Sequence, residues 1–200
     1  FGNANSAYSF DGVDDYIEAS NPAAFGFQNE SFSVSVWALV IENRPVYESF
    51  VGLGSADRQY CVNKWRFGHA FYTEFDSGPS QVSFAPDGGL QPNTWYHLVS
   101  VVNTETENME FYGDGMLAGT NSLIDFDFSS DTVLRFGMRP GYGNYLLGAV
   151  DDVRIYNRAL TASEVTELYA ETNAVPAPSA VILCSIGVSF VGWLRSRRKV

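Results

Sequence analysis

The sequence predicts an all-β protein: a two-sheet antiparallel sandwich of the jelly-roll type, closed by one short C-terminal helix and followed by a single transmembrane helix. Three observations predict it. Short runs alternating apolar and polar residues recur along the body of the chain, with Gly, Asn, Asp or Pro between them. One segment combines helical spacing with a capping signal: Thr161-Ala162-Ser163-Glu164, then Val165, Leu168 and Tyr169. An uncharged stretch of 18 residues, Ala177 to Leu194, precedes a cluster of cations.

The clearest strand is Phe32–Trp37, with Phe32, Val34 and Val36 on one face and Ser33, Ser35 and Trp37 on the other. Further runs are Arg58–Asn63, Trp65–Phe75, Gln81–Ala85, Trp95–Val102, Asn108–Tyr112, Met116–Gly119, Leu123–Phe128 and Thr132–Gly137. Asp114-Gly115 is a two-residue hairpin signal, because both positions tolerate positive φ. About a dozen strands at this spacing suit a sandwich. The helix is expected to pack across one end of it and to close the domain near Thr172. Trp37, Phe67, Phe71, Trp95 and Phe111 are expected in the core.

Residues 1–173 form the sandwich domain, read as beginning inside a domain because Phe1–Asn5 lack the basic and apolar regions of a signal peptide. Residues 174–179 are a Pro-rich linker, 180–194 the transmembrane segment and 195–200 a basic cytoplasmic tail.

Composition supports a folded body. Apolar residues make up 46 % and aromatics 15 %, enough for a sizeable core. The net charge of −11 conceals a split. The tail holds Arg195, Arg197, Arg198 and Lys199 and no acid, which leaves 8 basic against 23 acidic residues in the body, a net of −15. Such a domain does not seek nucleic acid phosphates; it suits cations and neutral ligands. Cys61 and Cys184 fall in different modules, so no disulfide is expected between them.

Two aspartate-rich blocks bracket the body: Phe10-Asp11-Gly12-Val13-Asp14-Asp15-Tyr16-Ile17 and Gly148-Ala149-Val150-Asp151-Asp152-Val153-Arg154-Ile155-Tyr156. Like charges in a half-buried strand need a compensating cation or basic partner. The blocks therefore suggest terminal strands that meet and share a cation or a salt-bridge network.

With Phe32–Trp37, Trp95-Tyr96-His97-Leu98-Val99 and Phe111-Tyr112-Gly113-Asp114-Gly115-Met116-Leu117, these blocks make five ordered motifs. In that order they resemble the LamG-like jelly-roll family of the concanavalin A-like lectin/glucanase superfamily, over roughly residues 2–171. The resemblance implies two apposed antiparallel sheets, one of them concave. It also implies a structural calcium tying the last strand to the N-terminal segment, with Asp151 the first candidate ligand, then Asp152, Asp11 and Asp14, and Gly12 as a carbonyl donor. The competing reading is that Asp11 caps a turn before Gly12 while Asp152 pairs with Arg154 or Arg158. The tail resembles the PEP-CTERM sorting signal of bacterial surface proteins: Val175, Pro176 and Pro178, an apolar span, then Arg195, Arg197 and Arg198. It departs at Ala177, where that family usually has Glu. The likeness implies exosortase processing, with a plain membrane anchor as the alternative.

Sugars stack their C–H faces on aromatic rings and offer hydroxyls to amides and carboxylates. Trp65, His69, Tyr72, Arg139, Tyr142, Asn144 and Tyr145 are the candidate glycan contacts. On an unbroken strand Trp65 and Tyr72 would face opposite ways; a bulge at Gly68 would change that. Sandwich glucanases of the resembled superfamily use Glu-x-Asp-x-x-Glu. Glu74-Phe75-Asp76 starts that pattern, but Pro79 stands where the second Glu belongs, so catalysis is not expected. The expected function is non-catalytic recognition of a glycan or other extracellular component by an exported, cell-surface or matrix domain. The alternatives are a structural or adhesive protein–protein module and a noncatalytic accessory domain of a polysaccharide-degrading enzyme.

Overall fold

The computed structural model describes residues 7–19, 30–54, 59–68, 70–75, 81–123, 133–139 and 141–173. Two six-stranded antiparallel sheets face each other. The first runs β1 (Tyr8–Asp11), β14 (Leu147–Tyr156), β3 (Phe32–Val40), β8 (Trp95–Asn103), β9 (Asn108–Gly113) and β10 (Met116–Ser122). The second runs β2 (Ile17–Ala19), β11 (Val133–Phe136), β4 (Glu48–Gly54), β5 (Gln59–Lys64), β6 (Phe71–Phe75) and β7 (Gln81–Phe84). A small ribbon, β12 (Met138–Arg139) and β13 (Asn144–Tyr145), precedes β14.

Alternation explains which face of each strand is buried. Phe32, Val34 and Val36 point into the space between the sheets and meet Leu98, Phe111, Phe50, Tyr60, Val62 and Phe71. The Phe32 and Tyr60 rings cross edge to face at 5.1 Å. Thr73 Oγ1 and Ser100 Oγ pair at this depth, 3.0 Å apart across the sandwich. At one edge β7 packs against β9 and β10, and Asn121 Nδ2 donates to the Gln81 carbonyl.

The other face of β3, with Ser33, Ser35 and Trp37, is also covered. Helix α1 (Ala162–Asn173) lies on the outer face of the first sheet, not across an end of the sandwich as its position in sequence suggested. The reason is a second apolar cluster on that face: Val99, Val101 and Tyr112 meet Leu160 and Val165. Ser33 Oγ latches the approach by donating to the Arg158 carbonyl at 2.9 Å and accepting the Leu160 N–H at 3.0 Å. The capping box forms: Thr161 N–H donates to Glu164 Oε2 at 2.8 Å, and Glu164 N–H to Thr161 Oγ1 at 3.3 Å.

Asp114 (φ 50°) and Gly115 (φ 77°) form the expected hairpin turn between β9 and β10. The Trp65–Phe75 run is not one strand. A single 3-10 turn, Arg66–Gly68, reverses the chain so that β5 and β6 become a hairpin, with Asn63 opposite Tyr72 and Lys64 opposite Phe71. The expected strand at Leu123–Phe128 lies almost wholly outside the described residues, as do the linker, transmembrane segment and basic tail. Among the described residues no helix is long and apolar enough to cross a membrane.

Candidate functional site

The two aspartate blocks do meet, since β1 pairs antiparallel with β14, but their carboxylates do not converge. Asp11 stands opposite Leu147, and Asp151 lies four residues further along β14, roughly 13 Å away at strand rise. The expected five-residue calcium set of Asp151, Asp152, Asp11, Asp14 and Gly12 is therefore not assembled. Gly12 to Asp14 form an exposed bend where the chain leaves the first sheet for the second, so the charges there stay hydrated. Asp11 Oδ1 accepts the Val13 N–H at 2.8 Å, and this turn holds its carboxyl below the usual range. The Gly12 carbonyl accepts from Arg44 Nη1 at 3.2 Å.

The second block resolves its charge differently. Asp151 and Arg154 flank a bulge against β3, with Asp152 in the left-handed region at φ 44°. Asp151 Oδ1 accepts the Asp152 N–H. Asp152 takes Arg154 in a fork, Nε to Oδ1 and Nη2 to Oδ2, both at 2.9 Å. The turn cap at Asp11 and the Asp152–Arg154 ion pair are both present. Asp14 and Asp15 do join Asp11, their carboxylate oxygens lying within 4.8 Å of one another.

The aromatic candidates gather on the outer face of the second sheet. Glu18, Arg135, Gly52, Cys61, Glu74 and Gln81 form one continuous rung across it. Asn63, Tyr72 and Ser83 form the next rung on the same face. Because the 3-10 turn folds β6 back beside β5, Trp65 and Tyr72 meet with ring centroids 5.2 Å apart. Tyr47 completes the group at 5.8 Å from Trp65 and 6.2 Å from Tyr72, with the Arg66 guanidinium 5.2 Å from its ring. Tyr72 is 2 % exposed and is the base of this group; Trp65 is half-buried above it.

The ribbon of β12 and β13 is fixed to the same face through Glu74. Arg139 Nη2 donates to Glu74 Oε1 at 2.7 Å, and Asn63 Nδ2 donates to the same oxygen at 3.2 Å. Burial pushes the Glu74 carboxyl up, and Arg139 opposes that shift. The Tyr142 ring lies 4.4 Å from the Arg139 guanidinium and is 51 % exposed. Asn144, half-buried, pairs with Arg139 in the ribbon, and Tyr145 stands 6.4 Å from Tyr16. Arg139 is thus a buried brace for the ribbon, while Trp65 and Tyr142 present ring surface beside a neutralised polar pair. Cys61 beneath them is a buried thiol, pushed up to about 12 by burial and by Glu74, and is not a nucleophile in this state.

Sequence reasoning missed Tyr47, Asn63 and Arg66. Strand alternation opposite Tyr72 could have found Asn63; no local signal marks Tyr47. His69 lies outside the described residues. Of the expected core aromatics, Phe71 and Phe111 are in the main core, Trp37 lies beneath the helix and Trp95 is half-buried. The side chain of Phe67 is not among those described.

A laminin G family model, described as the concanavalin A-like lectin/glucanases superfamily, matches residues 11–166. The chain belongs to this superfamily. Adhesion G-protein coupled receptor V1 of Danio rerio is 29 % identical over 150 residues, covering 70 % of this chain and 2 % of the receptor. The chain thus spans a very small part of that curated relative. A Ruminococcus gnavus sialidase CBM40, solved with alpha2,3 sialyllactose, superposes with a TM-score of 0.63 at 12 % identity, covering 82 % of this chain and 97 % of that one. The receptor-binding domain of a botulinum neurotoxin C/D mosaic serotype gives 0.65 at 15 % identity, over 83 % and 42 %. At these identities the likeness to the superfamily's solved structures is one of fold.

Proposed function

We propose that this is a non-catalytic, exported binding domain that takes a glycan on the outer face of its second sheet. The observation that carries the reading is the pairing of Trp65 and Tyr142, two accessible rings, around the Glu74–Arg139–Asn63 group. Rings supply stacking surface, the buried Glu74–Arg139–Asn63 group fixes the ribbon that carries Tyr142, and the half-buried Asn144 amide supplies a hydroxyl partner. The lectin-type superfamily, the sialyllactose-bound CBM40 and the neurotoxin receptor-binding domain support a carbohydrate or adhesion role. The non-catalytic part is supported by charge pairing: Glu74 is held by Arg139, and Glu48 by Lys64 and Arg44. A glycosidase needs two carboxyls free to exchange protons.

A glycan array probed with the full chain tests this. Trp65→Ala and Tyr142→Ala should each lower the signal about tenfold, the loss of one stacking contact of roughly 1–1.5 kcal/mol, while circular dichroism shows the fold retained. A signal indifferent to both substitutions would sink the reading and favour an adhesive protein contact elsewhere.

The calcium proposal narrows to Asp11, Asp14 and Asp15, whose oxygens lie close enough to share one hard cation. A chelator should lower the melting temperature of calcium-loaded protein, and Asp14→Asn should abolish that response. An unchanged melting curve removes the ion. Export with sorting or anchoring through residues 174–200 belongs to the same proposal. Cleavage near Pro176–Ser179, read by mass spectrometry of the mature C-terminus, would mark exosortase processing; an intact tail in the membrane fraction would mark an anchor.

A further inference from the structure

A cleft of about 460 Å³ lies on the opposite side of the molecule from the aromatic face, between the β8–β9 hairpin and the start of α1. Its size falls within the range of small-ligand sites, and no role has been given to it above. The floor is apolar: Val101, Ala159 and Leu160, of which Val101 and Leu160 are also part of the core beneath the helix. Its titratable rim carries Glu105, Glu110 and Arg158.

The effective sign of that rim follows from what each group already holds. Arg158 is engaged by Glu164 in a fork, Nη1 to Oε2 at 2.9 Å and Nη2 to Oε1 at 2.7 Å. That pairing holds the Glu164 carboxyl down to about 2, so the arginine's charge is matched by a carboxylate throughout the physiological range. Glu110 has no such cation among the described residues; its Oε2 accepts the Tyr112 hydroxyl at 2.6 Å, which orients the carboxylate without neutralising it. Glu105 sits exposed on the turn between β8 and β9. An adjoining depression continues the sign with Glu167 on the helix, while Glu171 there is met by Arg154 Nη1 at 3.4 Å. The body around it carries a net −15, so the long-range field also draws cations.

We propose that this cleft is a second binding site, for an alkylammonium or alkylguanidinium group carried on an apolar stem. The stem would lie on Ala159 and Ala162, above the buried Val101 and Leu160, while the cation reaches Glu110 and Glu105. A lysine or arginine side chain of a partner protein has this chemistry, and so does a free diamine. The site is independent of the glycan reading, because it shares no residue with the aromatic face.

The test is heteronuclear NMR titration of the full chain with N-acetyl-lysine methylamide, N-acetyl-arginine methylamide and cadaverine, with butyrate as the charge-reversed control. Saturable shifts confined to Val101, Tyr112 and Leu160 are expected for the cations and none for butyrate. Glu105→Gln should weaken binding several-fold, and Glu105→Gln with Glu110→Gln at least tenfold. The amide at 110 retains an acceptor for Tyr112, so the pair should fold. Ala162→Phe alters no charge and fills the cleft, so it should abolish the shifts while Trp65→Ala leaves them intact. Preference for the amino-acid derivatives over cadaverine assigns a protein partner; the reverse assigns a free amine. Equal shifts with butyrate, or binding that survives both the double substitution and Ala162→Phe, would overturn the proposal.

Discussion

His97 is held neutral by burial beside two aromatic rings, and this gives one residue a measurable hold on pH stability. Its ring lies 5.2 Å from Trp37 and 5.9 Å from Tyr169, and Nε2 is 2.9 Å from Ser35 Oγ. Burial lowers its pKa from 6.5 to about 4; the Asp152 charge works against this and Arg154 with it. Between those values the unfolded chain binds a proton that the folded chain refuses. Stability is therefore full above about pH 6.5 and declines as pH falls toward 4, by about 3 kcal/mol from this group. Glu74 and Asp114 act the other way, because burial raises their folded pKa and acid then favours the folded state. The clean measurement is a difference: urea unfolding of wild type and His97→Gln from pH 7 to 4 should show the larger loss in wild type. Parallel curves would mean that His97 takes up its proton without cost. The same scale explains why the two aspartate blocks do not form one shared set of ligands. Carboxylate identity was visible in the sequence, but the bend at Gly12 that gathers Asp11, Asp14 and Asp15, and the bulge at Asp152 that turns the second block to Arg154, depend on backbone conformation.

At the scale of elements, α1 owes its position to an apolar stripe that the sequence displayed and a docking face that it did not. Alternation in Phe32–Trp37 correctly separates two faces, but nothing in the row of Ser33, Ser35 and Trp37 says that a helix covers it. β4 was illegible for a related reason. Glu48 and Ser49 are fully buried polar residues and Gly52 and Gly54 break the pattern, so no period-two signal survives. The Trp65–Tyr72 contact was hidden by a three-residue 3-10 turn that local propensity does not mark. The capping box, by contrast, is local chemistry and was readable. Thr161→Ala should cost about 1 kcal/mol through the lost cap. Val165→Ala should cost about 2 kcal/mol, because Val165 is fully buried against the first sheet. Hydrogen exchange distinguishes the two: the cap variant should speed exchange in the first helical turn, the core variant across the whole helix.

At the scale of the molecule, one buried charge network joins parts that are distant in sequence, and it sets the positions of both sheets and the ribbon. Glu48 on β4 and Lys64 on β5 are wholly buried, with Lys64 Nζ 2.6 Å from Glu48 Oε2. Arg44 pairs with Glu48 and also donates to the Gly12 carbonyl at the N-terminal corner and to the Tyr145 carbonyl of the ribbon at 2.8 Å. Glu48 Oε1 accepts the Leu147 N–H at the start of β14 in the first sheet. A buried ion pair adds little over a well-packed apolar pair, but removing one partner leaves an uncompensated charge. Lys64→Met should therefore destabilise the fold by about 3 kcal/mol, at the lower end for such pairs because Arg44 still faces Glu48. The double variant Glu48→Gln with Lys64→Met should recover much of that loss, since the remaining amide can still accept from Leu147 and Arg44. Denaturant unfolding of both singles and the double closes the cycle. Strong non-additivity is the expected result, and purely additive costs would show that Glu48 and Lys64 act separately. Because the same carboxylate supports the arginine that holds Tyr145, Lys64→Met should also loosen the ribbon that presents Tyr142. Glycan affinity should then fall in step with stability, although residue 64 touches neither exposed ring.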